Sequence, residues 1–388
     1  MRTAVVVGAG MAGLAAAGGL ARSGWQVTVL ERGERVAAPP TALVLWSNGR
    51  RALESLDPDG GWSAIASPLP DGGVRRPDGQ WVVAPRARAG AGPAPVVVHL
   101  EDLYDTLVAG LGDLVQIRTG FAVTTLRTGP RQRPVVGDGR TMIEADLVVA
   151  ADGIDSPLRR ALAPEAVAVG SGFAAWQAVI PAYRAPRLDA GGETLGAGYR
   201  FISIPLGGRR GGAYWVATAA GASRPESAAT QLALLRRWFA GWHAPIGDLL
   251  AATEPSDLIP QEVRELRPLP RAYGFASGTG GVVLLGDAAH AMPHHLGQGA
   301  CLAFEDAATL RSLVAGAEPG PGLVAAIEAY SRTRRPRTTS VVRQTRRMSA
   351  VVQARGRLAL RARDAALNHM RPRILGHTHD TADWLPPD

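Results

Sequence analysis

Residues 3–13 read Thr-Ala-Val-Val-Val-Gly-Ala-Gly-Met-Ala-Gly, and this stretch decides the fold. The apolar run at 4–7 suits a buried parallel strand, and the glycines after it turn the chain into the N-terminus of a helix. Gly8 permits the tight turn, Gly10 lets the backbone approach a pyrophosphate, and Gly13 lets helix and strand pack closely. The phosphates of a dinucleotide then lie on unpaired N–H groups of the helix.

A second strand pattern at 25–30 ends at Glu31, close to where such folds place an acid for the ribose hydroxyls. We therefore predict a dinucleotide-binding unit in which Glu31 contacts the ribose. Met11, Ala12 and Arg32 are expected to lie beside the cofactor. This motif alone does not distinguish NAD from FAD.

Length and composition favour a two-domain globular protein. The chain has 388 residues, 46% of them hydrophobic, and its formal charge of +8 comes from arginine, since the sequence contains no lysine. The arginines recur on helical faces without interleaved aromatic residues or a known nucleic-acid-binding module. Solvated helix surface and attraction for phosphorylated cofactors are therefore favoured over nucleic-acid binding.

The lone cysteine and the hydropathy pattern indicate an intracellular location. Cys301 has no possible disulfide partner within the chain, and a cysteine in an Ala-rich helical run is typical of packing. The chain starts directly with a strand pattern, without a leader, and has no apolar run of about 18 residues. We expect a cytoplasmic monomer or dimer that does not insert into a membrane.

Two further motifs follow runs typical of buried strands. Asp152-Gly153 follows residues 146–151, and Gly286-Asp287 follows residues 281–285. Each places a carboxylate and a permissive glycine at the carboxyl end of a strand, where open α/β sheets bind ligands. Either dipeptide alone is more typical of a turn, but their occurrence in this order after the glycine triplet is far more specific.

Over nearly its whole length, the chain resembles the class A FAD-dependent aromatic hydroxylases, the para-hydroxybenzoate hydroxylase type. Besides the first motif, residues 151–159 (Ala-Asp-Gly-Ile-Asp-Ser-Pro-Leu-Arg) resemble the family's second motif, and residues 286–290, 297–299 and 305–307 resemble the third. Within the family the chain is most similar to the short urate and salicylate hydroxylases. The segment at 41–49 resembles their segment beneath the flavin.

The resemblance implies an FAD cofactor, with NADPH or NADH as a transient hydride donor that lacks its own Rossmann domain. Asp287 would hold the ribityl chain, while the helix opened by Gly297, Gln298 and Gly299 would face the flavin ring and stabilise its anionic reduced form. Dioxygen would add at flavin carbon 4a, and the hydroperoxide would hydroxylate an aromatic or other electron-rich small molecule. The site must exclude water, because otherwise hydrogen peroxide leaks away.

The resemblance also implies an Arg and a Tyr at the substrate, here Arg200 and Tyr214. The pocket is expected between the β-rich domain and the flavin edge, and aromatic and polar side chains are candidates to line it. For each tryptophan alone, a place in the core is an equal alternative. The substrate candidates are Trp46, Trp176, Gln177, Tyr199, Trp215 and Pro293.

Two positions depart from the family pattern. Leu100 stands where the family usually has an Arg that touches FAD, so this contact is lost or moved to His99. His294 stands where the family has a proline, while Pro293 comes one residue earlier. Because histidine titrates near neutrality, His294 could serve acid–base catalysis or provide a plain polar lining. A metal site built on the nearby histidines is not favoured, because no acid cluster completes it.

The resemblance predicts an α/β fold with a Rossmann-like FAD-binding domain, an inserted β-rich substrate domain and C-terminal helices. The FAD-binding domain is expected at 1–70, 96–171 and 266–335, the substrate domain at 71–95 and 172–265, and the helical segment at 336–388. Three functions stay open: a hydroxylase or epoxidase, an oxygen-independent FAD reductase or dehydrogenase, and a non-catalytic dinucleotide-binding module.

Overall fold

The computed structural model describes residues 1–85, 93–208, 210–221, 226–369 and 383–387. Its strands are β1 (Thr3–Val7), β2 (Gln26–Leu30), β3 (Ala42–Leu45), β4 (Ser67–Pro68), β5 (Val74–Arg75), β6 (Trp81–Val83), β7 (Val96–His99), β8 (Val115–Arg118), β9 (Thr125–Gly129), β10 (Gln132–Gly137), β11 (Met142–Glu144), β12 (Leu147–Ala150), β13 (Val167–Ile180), β14 (Gly192–Leu195), β15 (Tyr199–Pro205), β16 (Ala213–Ala220), β17 (Ile259–Arg267), β18 (Gly274–Ser277) and β19 (Gly280–Leu284).

The helices are α1 (Met11–Arg22), α2 (Ser47–Leu56), α3 (Leu100–Ala109), α4 (Pro157–Leu162), α5 (Ala228–Trp238), α6 (Ile246–Ala252), α7 (Asp287–His290), α8 (Gly299–Val314), α9 (Pro321–Val352) and α10 (Arg357–His369). Among the described residues, no helix is long and apolar enough to cross a membrane.

A six-stranded sheet in the order β18-β19-β12-β1-β2-β8 carries the glycine turn. Neighbouring strands are parallel except for the β18–β19 pair. The central strands are continuous runs of Val, Leu and Ala because helices cover the sheet, and α1, α8 and α9 contribute to the same core. The carboxyl ends of β1, β12 and β19 therefore meet at one edge, where all three motifs begin.

A seven-stranded mixed sheet in the order β17-β13-β16-β15-β14-β5-β6 forms the second large layer. One face packs against α5 and α6, and the other packs against the small sheet β3-β7-β4. Strands β5 and β6 join this sheet through the parallel β5–β14 pair. The segment after α2 therefore contributes β4 to the small sheet and β5 and β6 to the seven-stranded sheet. A fourth, antiparallel sheet of β9, β10 and β11 lies beside β12 and β18.

Several predicted elements differ from the structure. Residues 121–123 have the apolar pattern of a strand, but this segment has no ladder partner and runs as coil. The helical pattern at 226–242 forms a shorter helix, α5, and α6 follows it as a separate helix. The C-terminal helical run divides into α9 and α10, and α9 continues through Pro336. The expected domain boundary at 335/336 thus falls inside a helix, and the one at 171/172 falls inside β13.

Candidate active site and cofactor cleft

The first glycine turn packs tightly against backbone at Gly8 and Gly13 and is open at Gly10. A Cβ on Gly8 would lie 2.5 Å from the Ala151 carbonyl oxygen, and one on Gly13 would overlap the Gly8 carbonyl oxygen. Gly8 has a φ of +100°, which favours glycine, and donates its N–H to the Leu30 carbonyl at 2.8 Å. A Cβ on Gly10 would meet only the Tyr104 hydroxyl, at 3.9 Å. Gly10 therefore leaves open space before α1.

Glu31 lies directly beside this turn. Its carboxylate accepts the Ala9 N–H and the Gly33 N–H, each at 2.8 Å. The two bonds fix the carboxylate at the carboxyl end of β2. Arg32 is exposed at the same end, whereas Met11 and Ala12 open α1 and pack partly into the core.

The second motif holds a buried carboxylate with an orphaned oxygen. Asp152 Oδ2 accepts the Leu158 N–H at 3.4 Å, whereas Oδ1 is buried without a partner among the described residues. Burial raises the pKa of this carboxyl above its usual value. Gly153, with a φ of +78°, faces open space, and Asp155 forms a two-point ion pair with Arg264 of β17, at 2.7 and 2.9 Å. This pair ties the second motif to the seven-stranded sheet.

The third motif is held by Asp306 of α8. Asp306 Oδ2 accepts the Gly286 N–H at 3.0 Å and lies 2.6 Å from His290 Nε2. Burial acts to raise the pKa of Asp306, but His290 and Arg334 outweigh burial and hold it below its usual value. Asp287 opens α7, and its side chain is exposed.

A buried ionic cluster joins α8 to α9. Arg334 Nε lies 2.6 Å from Asp306 Oδ1, and Nη1 lies 2.7 Å from Glu305 Oε2, with all three side chains fully inaccessible to solvent. Asn48 Nδ2 donates to Glu305 Oε1 at 2.7 Å and to Gln298 Oε1 at 2.9 Å. Buried charges require such pairing, so the cluster locks the third motif and the start of α8 together. Asn48 belongs to the segment at 41–49 that resembles the family's segment beneath the flavin, whereas no local motif marks Arg334.

The loop at 297–299 lies against the Trp46 side chain. Gly297 has a φ of +61°, and a Cβ there would lie 3.1 Å from Trp46 Nε1. Trp46 Nε1 and Gln298 Nε2 are both buried and lack partners among the described residues, whereas Gly299 faces open space. Native buried polar groups are normally satisfied, so these orphaned atoms and the open glycines fit a polar cofactor along this edge.

At Leu100, where the sequence departs from the family pattern, the structure places a core residue at the start of α3. Leu100 is buried in the core at the start of α3, and His99 is partly buried, which lowers the pKa of its imidazole. One turn later, Tyr104 brings its hydroxyl to Gly10 and within hydrogen-bonding reach of the Met11 N–H. Tyr104, which no sequence motif marks, thus lies at the glycine turn, whereas Leu100 is buried in the core.

Arg200, Tyr214 and Gln177 share one face of the seven-stranded sheet. Arg200 Nε lies 2.8 Å from Glu193 Oε1, and its Nη2 donates to the His295 carbonyl at 3.3 Å. The Tyr214 hydroxyl donates to Gln177 Oε1 at 2.7 Å. In the register, Arg200 opposes Thr218, so it lies four positions along the strands from Tyr214, or about 13 Å. The predicted Arg–Tyr pair therefore shares a face without direct contact.

Three substrate candidates lie on the opposite face of the sheet, where they pack against helices. Trp176 Nε1 hydrogen-bonds Gln231 of α5, and Trp215 Nε1 donates to Thr253 Oγ1 at 2.9 Å. The Tyr199 ring packs against Trp238 and Phe239. Because side chains alternate across a strand, these three point to the helices while their neighbours point to the candidate site. They are core residues.

The segment before α8 supplies the remaining candidates. Pro293 is buried, and His294 and His295 form a short 3-10 turn whose rings lie 5.5 and 4.4 Å from the Phe173 ring. His290 is committed to Asp306. Within the described ranges, no group of three or more His, Cys, Asp or Glu side chains is arranged to hold a metal ion.

Comparison with known proteins identifies the family. A family model described as "FAD binding domain" matches residues 1–190 and 246–345. Aurachin C monooxygenase/isomerase of Stigmatella aurantiaca is 31% identical, covering 99% of this chain and 98% of that protein. The 2-heptyl-3-hydroxy-4(1H)-quinolone synthase of Pseudomonas aeruginosa is 33% identical, covering 80% of each.

Solved structures agree with this assignment. HpxO of Klebsiella pneumoniae, in complex with FAD and uric acid, superposes with a TM-score of 0.84 at 25% identity, covering 98% of this chain and 96% of that one. The predicted fold class, FAD cofactor and monooxygenase activity are thus confirmed. A non-catalytic module and an oxygen-independent reductase are not supported. The chain belongs to the FAD-binding-domain family of monooxygenases and is an FAD-dependent enzyme of the class A aromatic hydroxylase type.

Proposed function

We propose that this monooxygenase consumes NADPH or NADH and one dioxygen to hydroxylate a ring carbon of a small, electron-rich heteroaromatic molecule. One oxygen atom enters the ring as a hydroxyl group, and the other leaves as water with two electrons from the nicotinamide. The named relatives include a 2-heptyl-3-hydroxy-4(1H)-quinolone synthase, and the hydroxyquinolone in that name supports a fused nitrogen-containing ring. The observation that carries the proposal is the set of orphaned buried polar atoms between loop 297–299 and the seven-stranded sheet.

The residues of the cleft have the following proposed roles. Gly8, Gly10, Gly13 and Glu31 hold the ADP half of FAD, with the pyrophosphate on the N-terminus of α1. Asp152 and Asp287 bind along the ribose and ribityl portion.

Gly297, Gln298 and Gly299 offer backbone N–H groups at the start of α8 to the ring system, where the helix N-terminus favours negative charge. When bound, FAD accepts hydride from the nicotinamide and activates dioxygen.

The side chains around the ring-binding edge orient the substrate and exclude water. Tyr214 stays a neutral phenol because burial raises its pKa, and its hydroxyl is held by Gln177. Burial, with the Arg200 charge adding, lowers the pKa of His294 to about 4. At neutral pH this imidazole is therefore uncharged, and its role is hydrogen bonding to the substrate. The other alternative, acid–base catalysis near neutrality, is not supported by this pKa.

Epoxidation is the second candidate. Zeaxanthin epoxidase of rice is 29% identical over 90% of this chain, although the chain spans only 55% of that protein. Both reactions transfer one oxygen atom to an electron-rich carbon and differ in whether the product keeps an epoxide or an aromatic hydroxyl.

The test uses purified, flavin-loaded enzyme with 4-quinolones and polyenes as probes. We expect a quinolone to accelerate NADPH oxidation and to acquire isotopically heavy oxygen from labelled dioxygen. Unlabelled product, or equal NADPH oxidation without dioxygen, would overturn the proposal. A labelled epoxide from a polyene, without turnover of quinolones, would establish the second candidate instead.

A further inference from the structure

Arg200 is a charged side chain on the candidate substrate face, and its guanidinium already contacts other groups of the protein. It is 5% exposed, and its Nε faces Glu193 Oε1 at 2.8 Å. Its Nη1 lies 3.3 Å from His295 Nδ1, and its Nη2 donates to the His295 carbonyl at 3.3 Å. Nη1 and Nη2 thus both contact His295, whereas Nε lies at ion-pair distance from Glu193 without a hydrogen bond of good geometry, and Glu193 balances the charge. Little of Arg200 is left for an anionic ligand.

The histidines beside Arg200 add no positive charge. The His295 ring stacks on Phe173 with the centroids 4.4 Å apart, and the His294 ring meets Phe173 at its edge. Burial, with Arg200 adding, lowers the pKa of His295 to about 2, as it lowers that of His294. Both imidazoles are neutral at pH 7. Their Nε2 atoms are buried and unpartnered within the described ranges, so each offers one hydrogen bond to a ligand.

Other charges near this face do not change the balance. Arg355 lies at the ends of β15 and β16, where its Nη2 donates to the Ala220 carbonyl at 2.6 Å, but its side chain is exposed and screened by solvent. Tyr214 remains a neutral phenol. In the part of the chain described here, the contacts therefore give this face no uncompensated buried cation. A buried anion without a counterion is strongly disfavoured.

We infer that the substrate binds as an uncharged heteroaromatic ring whose polar edge both donates and accepts hydrogen bonds, and that Arg200 positions His295 instead of anchoring an anion. This inference rests on the proposed function. It narrows the substrate class, because aromatic carboxylates and phenolates are excluded, whereas lactam-type rings fit. The polar edge pairs with the free imidazole nitrogens of His294 and His295, and the ring face lies in an apolar setting that includes Phe173.

The experiment compares two ligands of nearly equal shape that differ in charge. The flavin-loaded enzyme is titrated with 4-hydroxyquinoline-2-carboxamide and with 4-hydroxyquinoline-2-carboxylate, and binding is followed by the change in flavin absorbance. We expect the carboxamide to bind about tenfold or more tightly, which corresponds to about 1.4 kcal/mol. Equal or tighter binding of the carboxylate, or no binding of either ring, would overturn the inference.

Two variants test the charge balance itself. Glu193→Gln releases the Arg200 charge, so the ratio of the two Kd values should shift toward the carboxylate by about tenfold. Arg200→Lys should keep the wild-type ratio, because an ammonium can still pair with Glu193, whereas Arg200→Gln leaves Glu193 uncompensated and should weaken the carboxylate further. A ratio that is the same in all four proteins contradicts the inference.

A failure of the proposed function gives a different experimental result from a failure of this inference. It appears as an absence of heavy oxygen in the product while the Kd ratio is unaffected.

Discussion

Arg334→Met should destabilise the protein strongly, because Arg334 pairs with two carboxylates that have no access to solvent. Glu305 keeps a second ion pair, with Arg337 at 2.8 Å, so the charge left without its arginine is that of Asp306. The guanidinium lies 2.6 Å from Asp306 and 2.7 Å from Glu305. Breaking a buried ion pair by removing one partner typically costs about 3–5 kcal/mol, because the other charge stays buried and uncompensated. Arg332→Met is the matched control on the same helix. Its ion pair with Glu328, at 3.4 Å, is exposed and should contribute about 0–1 kcal/mol.

The assay is denaturant unfolding of both variants and the wild type, followed by flavin fluorescence, at neutral and at acidic pH. The pKa of Asp306 is held below its usual value, so its ion pairing stabilises the fold above the unfolded pKa, and this stabilisation is lost as pH falls through the folded pKa. Without Arg334 this contribution is absent, so the difference in unfolding free energy between variant and wild type should persist down to about pH 4 and narrow below it. The reasoning is refuted if Arg334→Met costs no more than Arg332→Met at pH 7.

Three further changes test the cleft. Gly13→Ala should lower the free energy of unfolding by about 1–3 kcal/mol and reduce the flavin content of the purified protein, because the added methyl group would overlap the Gly8 carbonyl oxygen. A methyl group at Gly299 would meet nothing within 4 Å, so Gly299→Ala should leave the melting temperature unchanged. Tyr104→Phe should raise the Kd for FAD about fivefold, the value of one hydrogen bond, without changing the melting temperature, and an unchanged Kd would remove Tyr104 from the site. Cys301, whose thiol pKa burial raises to about 12, should resist alkylation at pH 8 until the protein unfolds, so rapid labelling of the native enzyme would contradict its packing.

The cofactor cleft could be predicted because its signals are local. A strand, a glycine turn and a helix within residues 3–22 fix the position of Gly8, Gly10 and Gly13 without help from distant parts of the chain. The buried partner Arg334 could not be predicted in this way. It lies 28 residues after Asp306 in an arginine-rich helix, and the sequence does not mark it as different from the solvated arginines around it.

The candidate substrate face shows what strand periodicity can predict about side-chain direction and what it cannot. Trp176 and Gln177, Tyr199 and Arg200, and Tyr214 and Trp215 are adjacent pairs on strands, so one member of each pair must point away from any shared pocket. Strand periodicity alone shows that half of these candidates face away from such a pocket. Which half depended on the packing of α5 and α6, a tertiary fact that the strand pattern does not contain.

The strand order of the six-stranded sheet has a consequence for synthesis of the chain. Strand β1 pairs with β12, and β12 pairs with β19, so the edge that gathers the three motifs needs residues 280–284. The ionic cluster behind it needs Arg334 as well. During translation the glycine turn emerges first and can pair with β2 early, but it lacks β12 until residue 150, and the complete edge until residue 284, has left the ribosome. Folding of the cofactor cleft is therefore dominated by contacts distant in sequence, a topology that slows folding and prolongs exposure of apolar strands to chaperones.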